Sequence, residues 1–300
     1  MEEKGPGIIS TDDVGSRTIS TTTLLDARLI MAYAAGISDV NPAYFDDTKE
    51  SGPMVHPGIC FSLQWKSRFQ IDRIPNSRSL PYLVHASTDL RIHQPFRHGE
   101  AITTQGRIIS RRQIPPGVYS VERYHMTNGA GDLVAELDYS CIIRNGRLGG
   151  ADIELECEIP RPIIKEENAE PIWESEVYIP LYAGQQYTEC AGIYNPIHTE
   201  RSVARAVGLP DTILHGSAIQ AIALSVIINR CFNGDAQKIT RVCGQIRSMV
   251  LMNTTIRIEL LKEHDDAGKR TILFRMFNQD GQVVIPDGLV IGRYGLQPGR

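Results

Sequence analysis

One motif occurs twice in this chain, first as Gly36-Ile37-Ser38-Asp39-Val40-Asn41-Pro42-Ala43-Tyr44 and again as Gly192-Ile193-Tyr194-Asn195-Pro196-Ile197-His198. A histidine and a glycine follow each copy, as His56-Pro57-Gly58 and as His215-Gly216. The ionisable residues are divided between the copies. Asp39 precedes Asn-Pro in the first copy, where the second has Ile193, and His198 follows Asn-Pro in the second, where the first has Tyr44.

Other landmarks recur at nearly the same spacing. Asn41 and Asn195 are 154 residues apart, and Arg91 and Arg247, each in a strand-like run, are 156 apart. The hairpin signals Asn128-Gly129-Ala130-Gly131-Asp132 and Asn278-Gln279-Asp280-Gly281 are about 150 residues apart, and each precedes a β-rich run. Because a fixed period indicates a duplicated unit, we expect two copies of one fold.

The composition is typical of a globular protein, since 300 residues with 42% hydrophobic content suffice for two ordinary domains. The 31 basic and 35 acidic residues are spread along the chain, which disfavours nucleic acid as a partner. The longest apolar stretch, residues 218–228, is too short for a bilayer span, so no membrane partner is expected. The chain begins without a signal-peptide pattern, which predicts a cytoplasmic location.

The six cysteines contain no C-x-x-C pair, which disfavours both a zinc site and a disulfide framework. Isolated histidines such as His85, His98 and His125 show no ligand spacing. We therefore predict neither a metal nor another cofactor.

Each half shows the same predicted order of elements. A helix, at residues 21–35 and 183–191, leads into the Asn-Pro loop, and a longer apolar helix begins near the following histidine and glycine. Predicted strands cover residues 82–96, 101–111, 119–127 and 133–144, then 241–251, 255–263, 271–278 and 283–293. The pattern predicts an α+β fold in which one long helix is wrapped by an antiparallel sheet. We divide the chain into a flexible N-terminus (1–16), a first domain (17–145), a linker (146–176) and a second domain (177–300).

With these motifs the chain resembles the MaoC-like family of double hotdog proteins, which includes (R)-specific enoyl-CoA hydratases and 3-hydroxyacyl dehydratases. The resemblance covers essentially the whole chain. The second half is similar to the MaoC core, whose motif runs Gly-Asp-x-Asn-Pro-x-His, and the first half to the degenerate hotdog that often runs Asp-x-Asn-Pro-x-Tyr. This resemblance implies two hotdog domains side by side in one sheet, with an acyl chain in a tunnel at their interface.

The resemblance also implies catalytic roles in the second motif. His198 corresponds to the acid/base, Asn195 to the positioning residue, and Gly216, at the start of the central helix, to the donor that holds the thioester oxygen. The carboxylate partner of the family should stand at position 193, but Ile193 neither accepts nor donates a proton. Tyr194 is a candidate substitute acid, with Glu189 and Tyr187 on the preceding helix as alternatives.

The first motif predicts a second pocket lined by Asp39, Asn41, Tyr44 and His56, with the alternative that Asp39 only caps the Asn-Pro turn. Around the substrate we expect four further residues: Ile193, His215, Ser217 and Arg91. Arg91 would meet a CoA or carrier phosphate, or else lie on a solvated face. Local hydrogen bonding at a helix start is the alternative for both His56 and His215, and a structural relic is the alternative for His198.

Three functions stay open at this point. The first is a hydratase or dehydratase acting on an acyl thioester or a related β-hydroxy carbonyl compound, with His198 central. The second is an isomerase or cyclase of specialised metabolism that acts on a polyketide-like intermediate, and the third is a non-catalytic partner subunit. The expected partner is a small molecule, with a CoA or carrier-protein thioester as one candidate, and a homodimer is compatible with the sequence.

Overall fold

The computed structural model describes residues 5–68, 78–159 and 170–294, in which one antiparallel sheet of 11 strands extends through both halves of the chain. The strands are β1 Ile8–Ile9, β2 Thr21–Leu24, β3 Leu83–Ile92, β4 Ala101–Ile114, β5 Gly117–Thr127, β6 Leu133–Arg144, β7 Arg147–Leu148, β8 Ile153–Glu154, β9 Trp173–Ile179, β10 Ile239–Gln245, β11 Thr254–Asp266, β12 Lys269–Phe277 and β13 Val283–Arg293. The helices are α1 Ala27–Gly36, α2 Ile59–Arg68, α3 Ala183–Ala191, α4 Arg201–Ala206 and α5 Gly216–Cys231.

The two halves repeat one topology and meet in the middle of the sheet. The strand order is β2-β4-β5-β6-β3 in the first half and, continuing across the seam, β10-β13-β12-β11-β9 in the second. At the seam β3 pairs antiparallel with β10, and an Arg241–Asp89 ion pair with an N–O distance of 2.6 Å crosses it. The predicted double hotdog arrangement, with its two sheets joined into one, is therefore confirmed.

The same hairpin device closes equivalent turns in both halves. The side-chain oxygen of Asn128 accepts from the backbone N–H groups of Ala130 and Asp132. The side-chain oxygen of Asn278 accepts in the same way from Asp280 and Gln282. Asparagine imitates a backbone turn through such bonds, which is why these two signals were readable in the sequence.

Helix α5 runs through the core of the second half, and most of its side chains are buried. A helix that is apolar nearly all round is stable only when protein surrounds it, and the main hydrophobic core draws on both halves of the chain. Helices α1 and α3, which precede the two Asn-Pro motifs, pack against each other. Among the described residues, no helix is long and apolar enough to cross a membrane.

Two predicted elements differ from the structure. Thr21–Leu24 is an edge strand rather than the start of a helix, because its three successive β-branched threonines suit a strand. The helix begins after Asp26, whose carboxylate accepts from the backbone N–H of Leu29 at 2.8 Å. In the second half, β10 ends at Gln245, so Arg247 lies outside any strand and donates to the side-chain oxygen of Gln245 instead.

Segments that we assigned to a flexible N-terminus and a linker contribute to the sheets at their edges. β1 pairs in parallel with β7, and the N–H of Gly15 donates to the carbonyl of Ile108 at 2.8 Å. β8 pairs with β4, and β9 begins at Trp173, before the predicted end of the linker. Residues 1–4, 160–169 and 295–300 of the predicted segments lie outside the described residues.

Candidate active site

A cavity with an empty volume of about 390 Å³, including its mouth, opens where the first half meets the motif of the second. Its walls come from both halves of the chain. The lining residues are Phe61, Gln64, Trp65, Leu83, His85, Tyr139, Ile193, Asn195, His198, His215, Gly216 and Ser217. The cavity therefore gathers most of the site residues predicted from the second motif.

His198 stands on a short 3₁₀ turn, Pro196–His198, that follows Asn195. Its Nδ1 lies 2.7 Å from the carbonyl oxygen of Ile213. Because a carbonyl only accepts, Nδ1 carries the hydrogen, and Nε2 has a lone pair left for the cavity. Burial lowers the pKa of His198 to about 4, and the bond to Ile213 opposes this only in part. The imidazole is neutral at physiological pH and able to accept a proton.

His215 supports the ring of His198. The two imidazoles are stacked with ring centroids 3.7 Å apart and planes 26° apart. Nε2 of His215 lies 3.1 Å from both the carbonyl oxygen of Ile193 and the hydroxyl of Thr188, so it donates from that side. Burial, with His198 close by, holds the pKa of His215 well below its usual range. The stack is thus a pair of neutral rings in a fixed orientation.

Gly216 is the first residue of α5, where the N–H groups have no acceptor within the helix and the helix dipole is positive. A Cβ on Gly216 would lie 2.6 Å from the Cβ of His85 and 2.8 Å from Cδ1 of Ile246. Both separations are shorter than real contacts, so only glycine lets the helix start this close to β3. The geometry suits a donor that holds a developing oxyanion.

Asn195 lines the cavity, but its amide is committed to the protein backbone. Its Nδ2 donates to the carbonyls of Leu80 and Leu83, at 3.0 and 3.2 Å, and its Oδ1 accepts from the N–H of Ile197 at 3.4 Å. These bonds join the motif turn to the segment before β3. Asn195 therefore positions the turn that carries His198 through hydrogen bonds to backbone groups of the protein.

Ile193, at the position for which the resemblance implies a carboxylate, is only 5% exposed. Its side chain is an apolar part of the cavity wall, while its carbonyl serves His215. Ser217 also lines the cavity, beside the buried phenol of Tyr187. The second motif thus brings a base and an oxyanion donor together, and none of the described residues that line the cavity is acidic.

Tyr194, Arg91 and the alternative acids Glu189 and Tyr187 do not line this cavity. Tyr194 is 48% exposed and donates its hydroxyl to Glu200 at 3.1 Å. Arg91 faces Glu136, with an N–O distance of 3.3 Å, on the strand β3. Neither the substitute acid nor the phosphate contact predicted for these residues is supported by their placement.

The first motif forms a buried cluster outside the cavity. Asn41 donates to the carbonyl of Gly234 at 2.8 Å, and an oxygen of Asp39 accepts from the N–H of Asn41 at 2.9 Å. Nδ1 of His56 accepts from the N–H of Gly58 at 3.0 Å, and the ring meets Tyr44 edge-on at 5.6 Å. Burial raises the pKa of Tyr44 and lowers that of His56 to about 4. The four residues come together, but as a packed set of turn and helix-start contacts.

His85 is the cavity residue that sequence reasoning missed. It lies on β3 of the first half, far in sequence from the second motif, and it lines the cavity together with His198. No spacing rule connects the two residues. The available signal was a histidine in an otherwise apolar strand start, which carries little information alone.

Comparison with known families finds a different match in each half of the chain. The profile of the MaoC like domain matches residues 181–280, and the profile of the FAS1-like dehydratase domain region matches residues 12–137. The fatty acid synthase subunit beta of Saccharomyces cerevisiae is 30% identical over 119 residues, or 40% of this chain and 6% of that protein. The peroxisomal enoyl-CoA hydratase 2 of Arabidopsis thaliana is 30% identical over 73 residues, or 24% of each chain.

These matches span only a small part of the curated relatives. Among solved structures, the crystal structure of a MaoC-like dehydratase from Phytophthora capsici superposes with a TM-score of 0.77 at 20% identity. The superposition covers 95% of this chain and 98% of that one. At this level of identity the likeness establishes the fold.

Proposed function

We propose that this chain, whose second half matches the MaoC like domain, whose first half matches the FAS1-like dehydratase domain region and whose fold is a double hotdog, is a hydro-lyase that acts on a β-hydroxyacyl or α,β-unsaturated acyl thioester, or on a related carbonyl compound. One observation carries the proposal. The free Nε2 of a neutral His198 and the first N–H of α5, at Gly216, belong to residues that line the same cavity. A proton acceptor beside an oxyanion donor is what proton removal next to a carbonyl requires.

In the dehydration direction, Nε2 of His198 removes the α-proton, and the C–H electron pair moves onto the carbonyl oxygen, where the N–H of Gly216 stabilises the charge. The carbonyl then reforms as the C–O bond at the β-carbon breaks. The proton held on Nε2 passes to the departing hydroxide, which leaves as water. Hydration follows the same steps in reverse, so one imidazole serves both as acid and as base.

One part of the cavity wall is apolar and supports a substrate with an apolar acyl part, while polar side chains line the rest. Phe61, Trp65 and Leu83 form the apolar part beside Ile193. A low-dielectric surrounding strengthens the interaction between a developing enolate and the helix terminus. A CoA or carrier-protein thioester fits this chemistry, because its acyl part is apolar and its carbonyl is a good enolate precursor. No feature of the cavity favours an isomerase, a cyclase or a non-catalytic subunit over this assignment.

The test is hydration of (E)-2-butenoyl-CoA, followed by loss of enoyl absorbance and by the gain of one water in the product mass. We expect turnover by the natural protein and a loss of about 10²- to 10⁴-fold in His198→Ala. The matched control is His125→Ala, because His125 is an exposed histidine that faces Glu136. Absence of turnover in both directions on thioesters of several chain lengths, or full activity of His198→Ala, would overturn the proposal.

A further inference from the structure

The start of β3, although it belongs to the first half, forms a wall of the second half's site. The carbonyls of Leu80 and Leu83 accept from Asn195, and the carbonyl of Ala86 accepts from the N–H of Ile246 at 2.7 Å. Between these contacts lies His85, against Gly216 at the start of α5. The chemistry of the cavity is therefore shared between the halves.

The ring of His85 has a fixed orientation and a defined tautomer. Its Nε2 lies 3.1 Å from the carbonyl oxygen of Ser87 and 2.8 Å from the hydroxyl of Thr88. Because the carbonyl only accepts, Nε2 carries the hydrogen and Nδ1 carries a lone pair. Tyr139 stacks on the ring with centroids 4.4 Å apart, and Phe61 meets it edge-on at 5.8 Å. Packing on the ring and two hydrogen bonds leave it little freedom to turn.

Nδ1 of His85 is a buried acceptor, and no described residue donates to it. It lies 3.0 Å from the position that a Cβ on Gly216 would occupy, beside the proposed oxyanion donor. A buried acceptor without a donor costs free energy, and such an atom in a ligand cavity is satisfied when the ligand donates. Burial, with the guanidinium of Arg68 adding to it, lowers the pKa of His85 to about 3, so the lone pair is available at neutral pH.

His85 and His198 are held in the same manner. Each imidazole donates from one nitrogen to a main-chain carbonyl, no described residue is hydrogen-bonded to the other nitrogen, and both residues line the same cavity. His215 also lines the cavity, and no described residue donates to its buried Nδ1, but its ring is stacked on His198 and belongs to the same half as that residue. The cavity thus has imidazole acceptors from both halves, and His85 is the one imidazole among the described lining residues that comes from the first half, in a site where Ile193 stands at the place of the family's carboxylate.

We infer that His85 is a further catalytic residue, whose Nδ1 accepts a hydrogen bond from the substrate's β-hydroxyl group during dehydration and from the attacking water during hydration. The inference rests on the proposed function. His198 moves the proton between the α-carbon and the departing oxygen. The hydrogen that bonds to Nδ1 of His85 stays on that oxygen throughout and leaves with the water. His85 takes over the orienting part of the role that a carboxylate at position 193 would serve.

Two amide substitutions separate the two nitrogens of His85. In His85→Asn the side-chain oxygen lies near the place of Nδ1, whereas in His85→Gln the amide reaches the place of Nε2 and keeps a donor for Ser87 and Thr88. We expect His85→Gln to lose about 10- to 100-fold in kcat/KM for hydration of (E)-2-butenoyl-CoA, and His85→Asn to retain most of the activity. The control, His125→Gln, makes the same change at an exposed histidine and should be silent. Full activity in His85→Gln, or a greater loss in His85→Asn than in His85→Gln, would overturn the inference.

Binding gives a readout that a structural role would not move. In a His198→Ala background, which stops turnover, His85→Gln should weaken binding of (R)-3-hydroxybutyryl-CoA about tenfold and leave butyryl-CoA, which lacks the hydroxyl, unchanged. Equal weakening of both thioesters would indicate a structural residue and overturn the inference. Failure of the proposed function has a different signature, because the natural protein would then neither turn over butenoyl-CoA nor bind either thioester.

Discussion

The hydroxyl oxygens of Tyr33 and Tyr187 lie 3.4 Å apart in the core, although the residues are 154 positions apart in the chain. They occupy equivalent places in the two halves, so this contact marks the meeting of the duplicated units. Tyr33 stacks on His56 at 5.8 Å, and Tyr187 meets His215 edge-on at 5.0 Å. Only the second of these arrangements continues to the cavity, through the stack of His215 on His198.

The equivalent asparagines provide a matched pair of variants. Asn195→Ala removes the side-chain hydrogen bonds to the carbonyls of Leu80 and Leu83, which should lower the free energy of unfolding by about 1–3 kcal/mol. Because the turn that carries His198 then shifts, hydration should fall on the order of 10²-fold. Asn41→Ala, which loses the bond to Gly234, should be destabilised similarly but keep its activity. Urea denaturation and hydration rates check both, and an inactive Asn195→Ala of natural stability would mean that Asn195 contacts the substrate.

Gly216→Ala tests the close approach of α5 to β3. The new methyl group would overlap His85 and Ile246, so the unfolding free energy should fall by about 1–3 kcal/mol and hydration should be impaired. Gly129→Ala is the control, because no atom lies within 4 Å of its Cβ position. Thermal unfolding and kinetics of the two variants make the comparison. If both variants behave alike, close packing is not the reason why position 216 is a glycine.

Ile193→Asp restores a carboxylate in the cavity wall. A buried charge without a cation beside it should cost about 3 kcal/mol of stability. In the His85→Gln background the same change should raise hydration at least about tenfold, since it supplies a second acceptor. Ile193→Leu in that background is the apolar control. A double variant no more active than His85→Gln would show that positions 85 and 193 do not share a role.

Acid should destabilise the protein before its carboxylates titrate. His56 and His198 have an ordinary pKa of 6.5 and folded-state values of about 4, because both rings are buried. The unfolded chain therefore binds more protons between these values, and stability falls as the pH drops from about 6.5 to about 4, by up to about 3 kcal/mol for each ring. Urea midpoints between pH 7.5 and 4.5 should show this slope, with a shallower one in His198→Gln and no change in His125→Gln. An identical slope in His198→Gln would contradict a neutral, buried His198.

Tyr194→Phe should leave hydration nearly unchanged, with an effect on the activation free energy within about 0.5 kcal/mol. The reason is that the hydroxyl of Tyr194 lies at the surface, bound to Glu200. Steady-state kinetics on butenoyl-CoA are sufficient. A loss of tenfold or more would return Tyr194 to consideration as an acid.

Much of the fold was readable from local patterns. The Asn-Pro motifs, the asparagine-led hairpins and the apolar run of residues 218–228 each act over a few residues, and each lies where the sequence predicted. The misplaced elements are those in which local preference was mixed, such as Thr21–Leu24, where β-branched residues precede the helix cap at Asp26. The edge strands β1, β7 and β8 are two residues long, too short to leave a periodic pattern.

The sequence by itself determined that this protein is a duplication, that His198 and Gly216 belong to one half, and that Ile193 stands where the motif of the MaoC-like family, which the chain resembles, has a carboxylate, because those facts lie in short motifs and their spacing. Only the tertiary structure decided that Tyr194 faces Glu200, that Asn195 binds the backbone, and that His85 enters the other half's cavity. The reason is physical: the antiparallel pairing of β3 with β10 joins segments about 150 residues apart, and no local pattern records which residue that pairing places beside the start of α5.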